Sequence, residues 1–160
     1  MDSKDDTDRL RYLIDLIDRE DAHLLAVRSR FLGHCCDVDA QRMQSLLSDD
    51  VGVDRLESFG AKFGRMQDTV MDKFIPVLLR LSGERVVAAI DNLGKMERLC
   101  LIESADAWLQ MRNLRNRLVH EYFDRPADMA PALERACRFT DVMHADYQAM
   151  REYAQSHFAL

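Results

Sequence analysis

Hydrophobic positions recur every three or four residues along nearly the whole chain, the spacing that gathers side chains on one face of an α-helix. From about Asp8 to Arg30, Leu10, Leu13, Ile14, Ile17, Leu24, Leu25 and Arg28 keep that spacing, and Leu16 and Val27 widen the stripe. Thr7 reads as the N-cap of this helix, Gly33 as its end, and Asp15, Asp18, Arg19, Glu20 and Asp21 as its charged outer face. His23, at the edge of the stripe, reads as a partly buried structural histidine. A short second helix is expected from about Val38 to Leu47, followed by the turn S-D-D-V-G. The third, from about Val53 to Leu81, carries Leu56, Phe59, Phe63, Met66, Val70, Phe74, Val77 and Leu81 at a period of about 3.6 residues. Gly60 and Gly64 place two small residues on one of its faces, where another helix can come close. Pro76 should bend this helix or end its first part. A fourth helix spans about Glu84 to Arg98 on Val86, Val87, Ile90, Leu93 and Met96, and a last one runs from an Asp128 cap to about Ser156.

Between these last two lies W-L-Q-M-R-N-L-R-N-R-L-V-H-E-Y-F, from Trp108 to Phe123, which contains the only tryptophan. Ser104 precedes it as an N-cap, Asp106 suits the positive end of its dipole, and Pro126 follows, so a helix over about 104–123 is expected. Ala107, Met111, Leu114 and Leu118 form its core stripe, flanked by Gln110, Asn113, Arg117 and Glu121. The face opposite the stripe should be wholly polar on a plain surface helix. Instead, Trp108, Val119 and Phe123 share it with Arg112, Arg115 and Asn116, as on a helix that meets a partner or a ligand.

Composition supports the same picture. The chain of 160 residues is 48% hydrophobic with three prolines and six glycines, and β-branched residues rarely cluster. One all-α domain is expected, an antiparallel helical bundle of four to six helices. The net charge of −6 disfavours a surface that coats nucleic acid at large, although Arg112, Arg115 and Arg117 supply a local basic patch. Of Cys35, Cys36, Cys100 and Cys137, the adjacent pair cannot easily bridge to each other and no C-x-x-C occurs. The polar, acidic start reads as no signal peptide, and no apolar run is long enough for a membrane span. A cytoplasmic protein with reduced thiols is therefore expected. His34 beside Cys35 and Cys36 lacks further ligands at zinc spacing, so neither a metal nor another cofactor is expected.

No glycine-rich phosphate loop, nucleophile elbow or H-E-x-x-H occurs. Asp68 and Asp72, four apart, lack the histidine partners of a helical metal site. The remaining constellation is Arg115, Asn116, His120 and Tyr122. A histidine moves protons near neutral pH, a guanidinium holds a phosphate, and an amide orients either. RNA cleavage by the neighbouring 2′-hydroxyl needs those groups and no metal. One chain offers one such histidine, at an ideal helical bearing of about 140° from Arg115. A composite site across a two-fold dimer would bring two copies of each together.

R-N-R-L-V-H-E-Y resembles the HEPN signature, an Arg, a polar residue that is often Asn, a short spacer and a His. With Tyr two residues after the His, it is closer still to the HepT-like branch of the HEPN/MNT toxin–antitoxin systems. L-I-E-S-A-D-A-W-L-Q-M-R-N-L and the upstream F-G-A-K-F-G-R-M-Q-D extend the resemblance over most of Leu56 to Phe123. The resemblance implies a HEPN-like helical bundle forming a homodimer with its motifs face to face. It implies a metal-independent endoribonuclease toxin acting on tRNA or mRNA, with Arg115 and His120 catalytic, Asn116 supporting them, and Arg112 and Arg117 assisting on phosphate. A nucleotidyltransferase-type (MNT) antitoxin is the implied partner, neutralising the toxin by adding AMP to Tyr122. The alternative is a non-catalytic module that presents a nucleotide or Tyr122 to such a partner. A third reading is a structural bundle whose motif helix is merely buried at a dimer contact.

Overall fold

Helix α1 (Ser3–Leu32) forms the wall on which the chain assembles: its Leu10, Leu13, Ile14, Ile17, Leu24 and Val27 are buried. The computed structural model describes residues 3–120 and 125–160, apart from the side chains of Val119, His120 and Pro126. Packed against α1 are α3 (Asp50–Asp68), a π-helical turn (Thr69–Phe74), α4 (Ile75–Leu81) and α7 (Ala130–His157). Helix α6 (Ala105–His120) lies against α3 and α7, with the shorter α5 (Ala89–Arg98) beside it. The shortest helices include α2 (Ala40–Leu46), which packs on a 3-10 turn, Pro126–Met129. Among the described residues every regular element is helical, and the fold is the expected all-α bundle. No helix among them is long and apolar enough to cross a membrane.

Aromatic rings knit three of the helices together. Phe63 of α3 meets Phe139 of α7 edge to face at 6.1 Å, and Trp108 of α6 meets the same Phe139 at 5.5 Å. These edge-to-face geometries suit the ring quadrupoles and add to the area that the rings remove from water.

The element boundaries depart from the periodic pattern where side chains outside that pattern take over. Thr7 lies inside α1, its hydroxyl donating back to the Ser3 carbonyl at 2.9 Å, so it is not the cap. The first turn is held instead by Asp6, which accepts from Arg80 Nε at 3.1 Å and Nη2 at 3.0 Å. The Arg80 guanidinium keeps the Asp6 carboxyl below its ordinary 3.8. A folded carboxyl that is the stronger acid contributes fully above the unfolded value and loses that contribution as pH falls through the folded one. Wild-type stability should therefore fall more steeply than that of Asp6→Asn below about pH 4, by about 1 kcal/mol at most for a pair whose arginine reaches solvent, in urea titrations across that range.

The charged outer face of α1 is corrected in part: Asp15 and Arg19 are exposed as expected, but Asp18 and Glu20 are half-buried. Asp21 is buried against His144 at 2.6 Å, and Asp18 accepts from Tyr147 at 2.6 Å and from Arg151. Long partners on α7 make burial of these carboxylates tolerable. His23, expected to be partly buried, is exposed.

Gly33 ends α1 in the left-handed region at φ 64°, which a side chain would disfavour. Arg42 then gathers the carbonyls of Leu32, Cys35 and Asp37 at 2.6, 2.8 and 2.6 Å. The expectation of four reduced thiols is overturned here: Cys36 and Cys137, 101 residues apart, form a disulfide, with Cα atoms 5.5 Å apart. Cys35 and Cys100 are free and exposed.

Helix α3 starts before Val53 because Asp49 caps it, accepting from Gly52 N at 2.8 Å. Gly52, expected in the turn, is helical and so close to α2 that a Cβ would sit 1.6 Å from the Leu46 carbonyl oxygen. Pro76 enters at the start of α4, directly after the π turn, whose wider winding absorbs the missing N–H without breaking the helical run. Helix α5 begins at Ala89 and not at Glu84, because Asn92 holds Val87 in an extended segment by two bonds, at 2.9 and 3.0 Å. In consequence Ile90 is exposed and the buried residues of α5 are Asn92, Leu93 and Met96. Asp128 is not the cap of α7: it lies in the 3-10 turn, with its N–H on the Arg125 carbonyl at 3.0 Å.

Candidate functional site

Helix α6 begins as its sequence predicts. Ser104 Oγ accepts from Ala107 N at 3.2 Å, and the Ala105 N–H reaches Glu97 Oε2 at 3.2 Å. Met111, Leu114 and Leu118 are buried as expected. Trp108 is not on a partner-facing surface: it is 0% exposed, and its Nε1–H donates to Asp146 Oδ2 at 2.8 Å. The buried arc of α6 is wider than one stripe because α3 and α7 flank it on two sides. Burial pushes the Asp146 carboxyl up, while hydrogen bonds from Trp108 and from Glu103 N pull it down. Of the apolar residues assigned to a second face, Trp108 is thus in the protomer's core, and the Val119 side chain and Phe123 lie outside the described residues.

On its other side α6 meets α3 across an open cleft of about 420 Å³, lined by Gly60, Ala61, Gly64, Arg65, Asp68, Thr69, Lys73, Arg115 and Asn116. The close helix approach expected at Gly64 does not depend on the glycine, since a side chain there would make only ordinary contact with Arg115. A Cβ there would lie 3.4 Å from Arg115 Cδ, and Arg115 Nη1 donates to the Gly64 carbonyl at 3.1 Å. The same Nη1 also bonds Asp68. One turn nearer the N-terminus, Arg112 donates from Nη1 and Nη2 to the two oxygens of Asp72, at 3.2 and 3.0 Å. Arg65 and Lys73 add two exposed cations to the cleft wall. Thr69 is turned away, its hydroxyl donating to Glu20 at 2.9 Å. Burial pushes the Glu20 carboxyl up, against that bond and the nearby Arg65 and Lys73.

Arg115 and Asn116 therefore line one cleft, with Asn116 exposed and Arg115 half-buried. Arg117 is exposed, and Arg112 is engaged by Asp72. His120 is the last described residue of α6, one turn beyond Asn116; its side chain lies outside the described residues, as does Tyr122. Asp68 and Asp72 were legible only as a candidate metal pair. Their four-residue spacing opposite Arg112 and Arg115, three apart, was the signal for ion pairs between the two stretches: Arg115 with Asp68, and Arg112 with Asp72 and, at 3.9 Å, Asp68. Arg65 and Lys73 carried no signal in the sequence. Among the described residues no group of three or more His, Cys, Asp or Glu is placed to hold a metal ion. No family model, curated protein or solved structure matches the chain.

Proposed function

We propose that this chain is a HepT-like toxin, an endoribonuclease that cleaves RNA at a composite site formed across a homodimer. The observation that carries the reading is that Arg115 and Asn116 open into one cleft with Arg65 and Lys73. With Asp68 in the same lining, the cleft keeps three cations against one carboxylate, a local excess of positive charge on an acidic protein, beside the helix that carries His120. An RNA backbone is drawn to such a surface by its phosphates. In the proposed reaction the 2′-oxygen attacks the adjacent phosphorus while the bond to the 5′-oxygen breaks, leaving a 2′,3′-cyclic phosphate and a 5′-hydroxyl. His120 of one protomer takes the 2′-proton beside Arg115 of its partner, and water returns a proton to the leaving oxygen, so each of two symmetry-related sites needs one His120 and one Arg115. Arg115 neutralises the charge that builds on the equatorial oxygens, and Asn116 orients the phosphate. Tyr122 would be the site at which a nucleotidyltransferase-type antitoxin adds AMP, placing phosphate and adenine beside His120 and closing the site to RNA.

The test is digestion of total cellular RNA by purified protein with EDTA present. Wild type should remove defined species, and His120→Ala should be slower by about 10²–10⁴-fold without loss of folding, as for removal of a general acid–base. A second reading, a non-catalytic partner of a nucleotidyltransferase, is favoured by the carboxylates that engage Arg112 and Arg115. Equal inactivity of wild type and variant, from folded dimers free of a Tyr122 adduct by mass spectrometry, would put that reading in front.

A further inference from the structure

The two arginines that α6 turns toward α3 are held in different ways. Arg112 gives Nη1 and Nη2 to Asp72, so the outer end of its guanidinium is occupied. Arg115 meets both Asp68 and the Gly64 carbonyl through Nη1 alone; among the described residues its Nε and Nη2 bond to nothing. The Nε–Nη2 edge is one of the two edges by which a guanidinium grips an oxyanion with parallel hydrogen bonds. An arginine pinned at one nitrogen and open along that edge is pre-oriented for such a grip. A flexible side chain that has already lost its rotational freedom also gives up less entropy when an anion binds.

We propose that Asp68 is the positioning residue for Arg115, anchoring Nη1 so that the Nε–Nη2 edge is presented to a phosphodiester of single-stranded RNA in the cleft. This rests on the RNA reading above and adds a division of labour to it: Arg115 grips phosphate, while Arg112 ties α6 to the π turn through Asp72 and lies 3.9 Å from Asp68 Oδ1. The π turn matters because Asp68 is the residue before it and Asp72 lies within it, so both carboxylates reach α6 from a single irregular stretch.

The test combines cleavage of a short single-stranded RNA with binding of its fully 2′-O-methylated, uncleavable counterpart, for Asp68→Ala, Asp68→Asn, Arg115→Ala and the double variants. Asp68→Ala should lower kcat by about 10–100-fold and move KM by less than about threefold, since a misplaced group costs mainly in the transition state. Asp68→Asn should recover part of the loss, because its amide oxygen still accepts from Nη1 and it keeps the shape of the anchor if the alanine variant folds poorly. In the Arg115→Ala background either Asp68 substitution should change nothing by more than about twofold, as residues acting through one contact are non-additive. Full additivity of the Asp68 and Arg115 effects, with a wild type that binds or cleaves, overturns the proposal and leaves the RNA reading standing. A wild type that binds without cleaving removes the nuclease reading alone, and the same cycle in the binding constant then decides the role of Asp68. A wild type that does neither overturns both.

Discussion

Co-expressed Arg115→Ala and His120→Ala chains are expected to regain about a quarter of wild-type RNA cleavage, although each variant alone is nearly inactive. In a two-fold dimer each composite site takes its arginine from one protomer and its histidine from the other. The mixed dimer then has one site lacking both groups and one site with both intact. Random pairing makes about half of the dimers mixed, with one of two sites working in each, hence about a quarter of the original sites. Against a loss of about 10²–10⁴-fold in either parent, that recovery is easily read in a cleavage assay with a short RNA. A site contained within one chain gives no recovery, because every chain in the mixture then lacks one of the two groups. The experiment matters for the interface as well, since Trp108, expected to help form it, is buried inside the protomer. The ideal separation of Arg115 and His120 around the helix, about 140°, is what now argues for a shared site.

Trp108→Ala is expected to cost about 3–5 kcal/mol of unfolding free energy, the range for deleting a large aromatic side chain from a packed core. The ring is fully buried, packs edge to face on Phe139, and gives its N–H to Asp146. Its loss opens a cavity between α6 and α7 and leaves the buried Asp146 carboxyl with only the Glu103 N–H, at 3.2 Å. Trp108→Phe separates the two effects. It fills most of the volume and should cost about 1–3 kcal/mol, chiefly for the unpaired carboxylate. Urea unfolding followed by circular dichroism measures both. As Trp108 is the only tryptophan, wild-type fluorescence should shift to the red in the same transition. A cost under about 1 kcal/mol for Trp108→Ala would return this residue to the protein surface, where its position along the helix first suggested it belonged.

The all-α fold and the course of its long helices were legible in the sequence, because period and caps are local properties. Leu10 to Val27, Leu56 to Phe74 and Met111 to Leu118 are buried on the faces their spacing implies, and Ser104 caps α6 as its type and place suggest. The glycine that close packing requires was not readable: it is Gly52, placed in a turn by its neighbours, while a Cβ at Gly64 would meet only an ordinary contact. What only the tertiary structure decided depends on partners far apart in the chain. Trp108 turned inward because α6 has neighbours on two sides, a circumstance that no helical wheel contains. Asp21 and Asp146 could be buried because His144 and Trp108 reach them from other helices. Cys36 found Cys137 across 101 residues, although nothing in their spacing linked them. The sequence alone singled out Arg115 and Asn116 by type. That one nitrogen of Arg115 is anchored by Asp68 and Gly64 while its other edge meets nothing among the described residues follows only from the packing of α6 on α3, because a side chain's donors are engaged by what surrounds it.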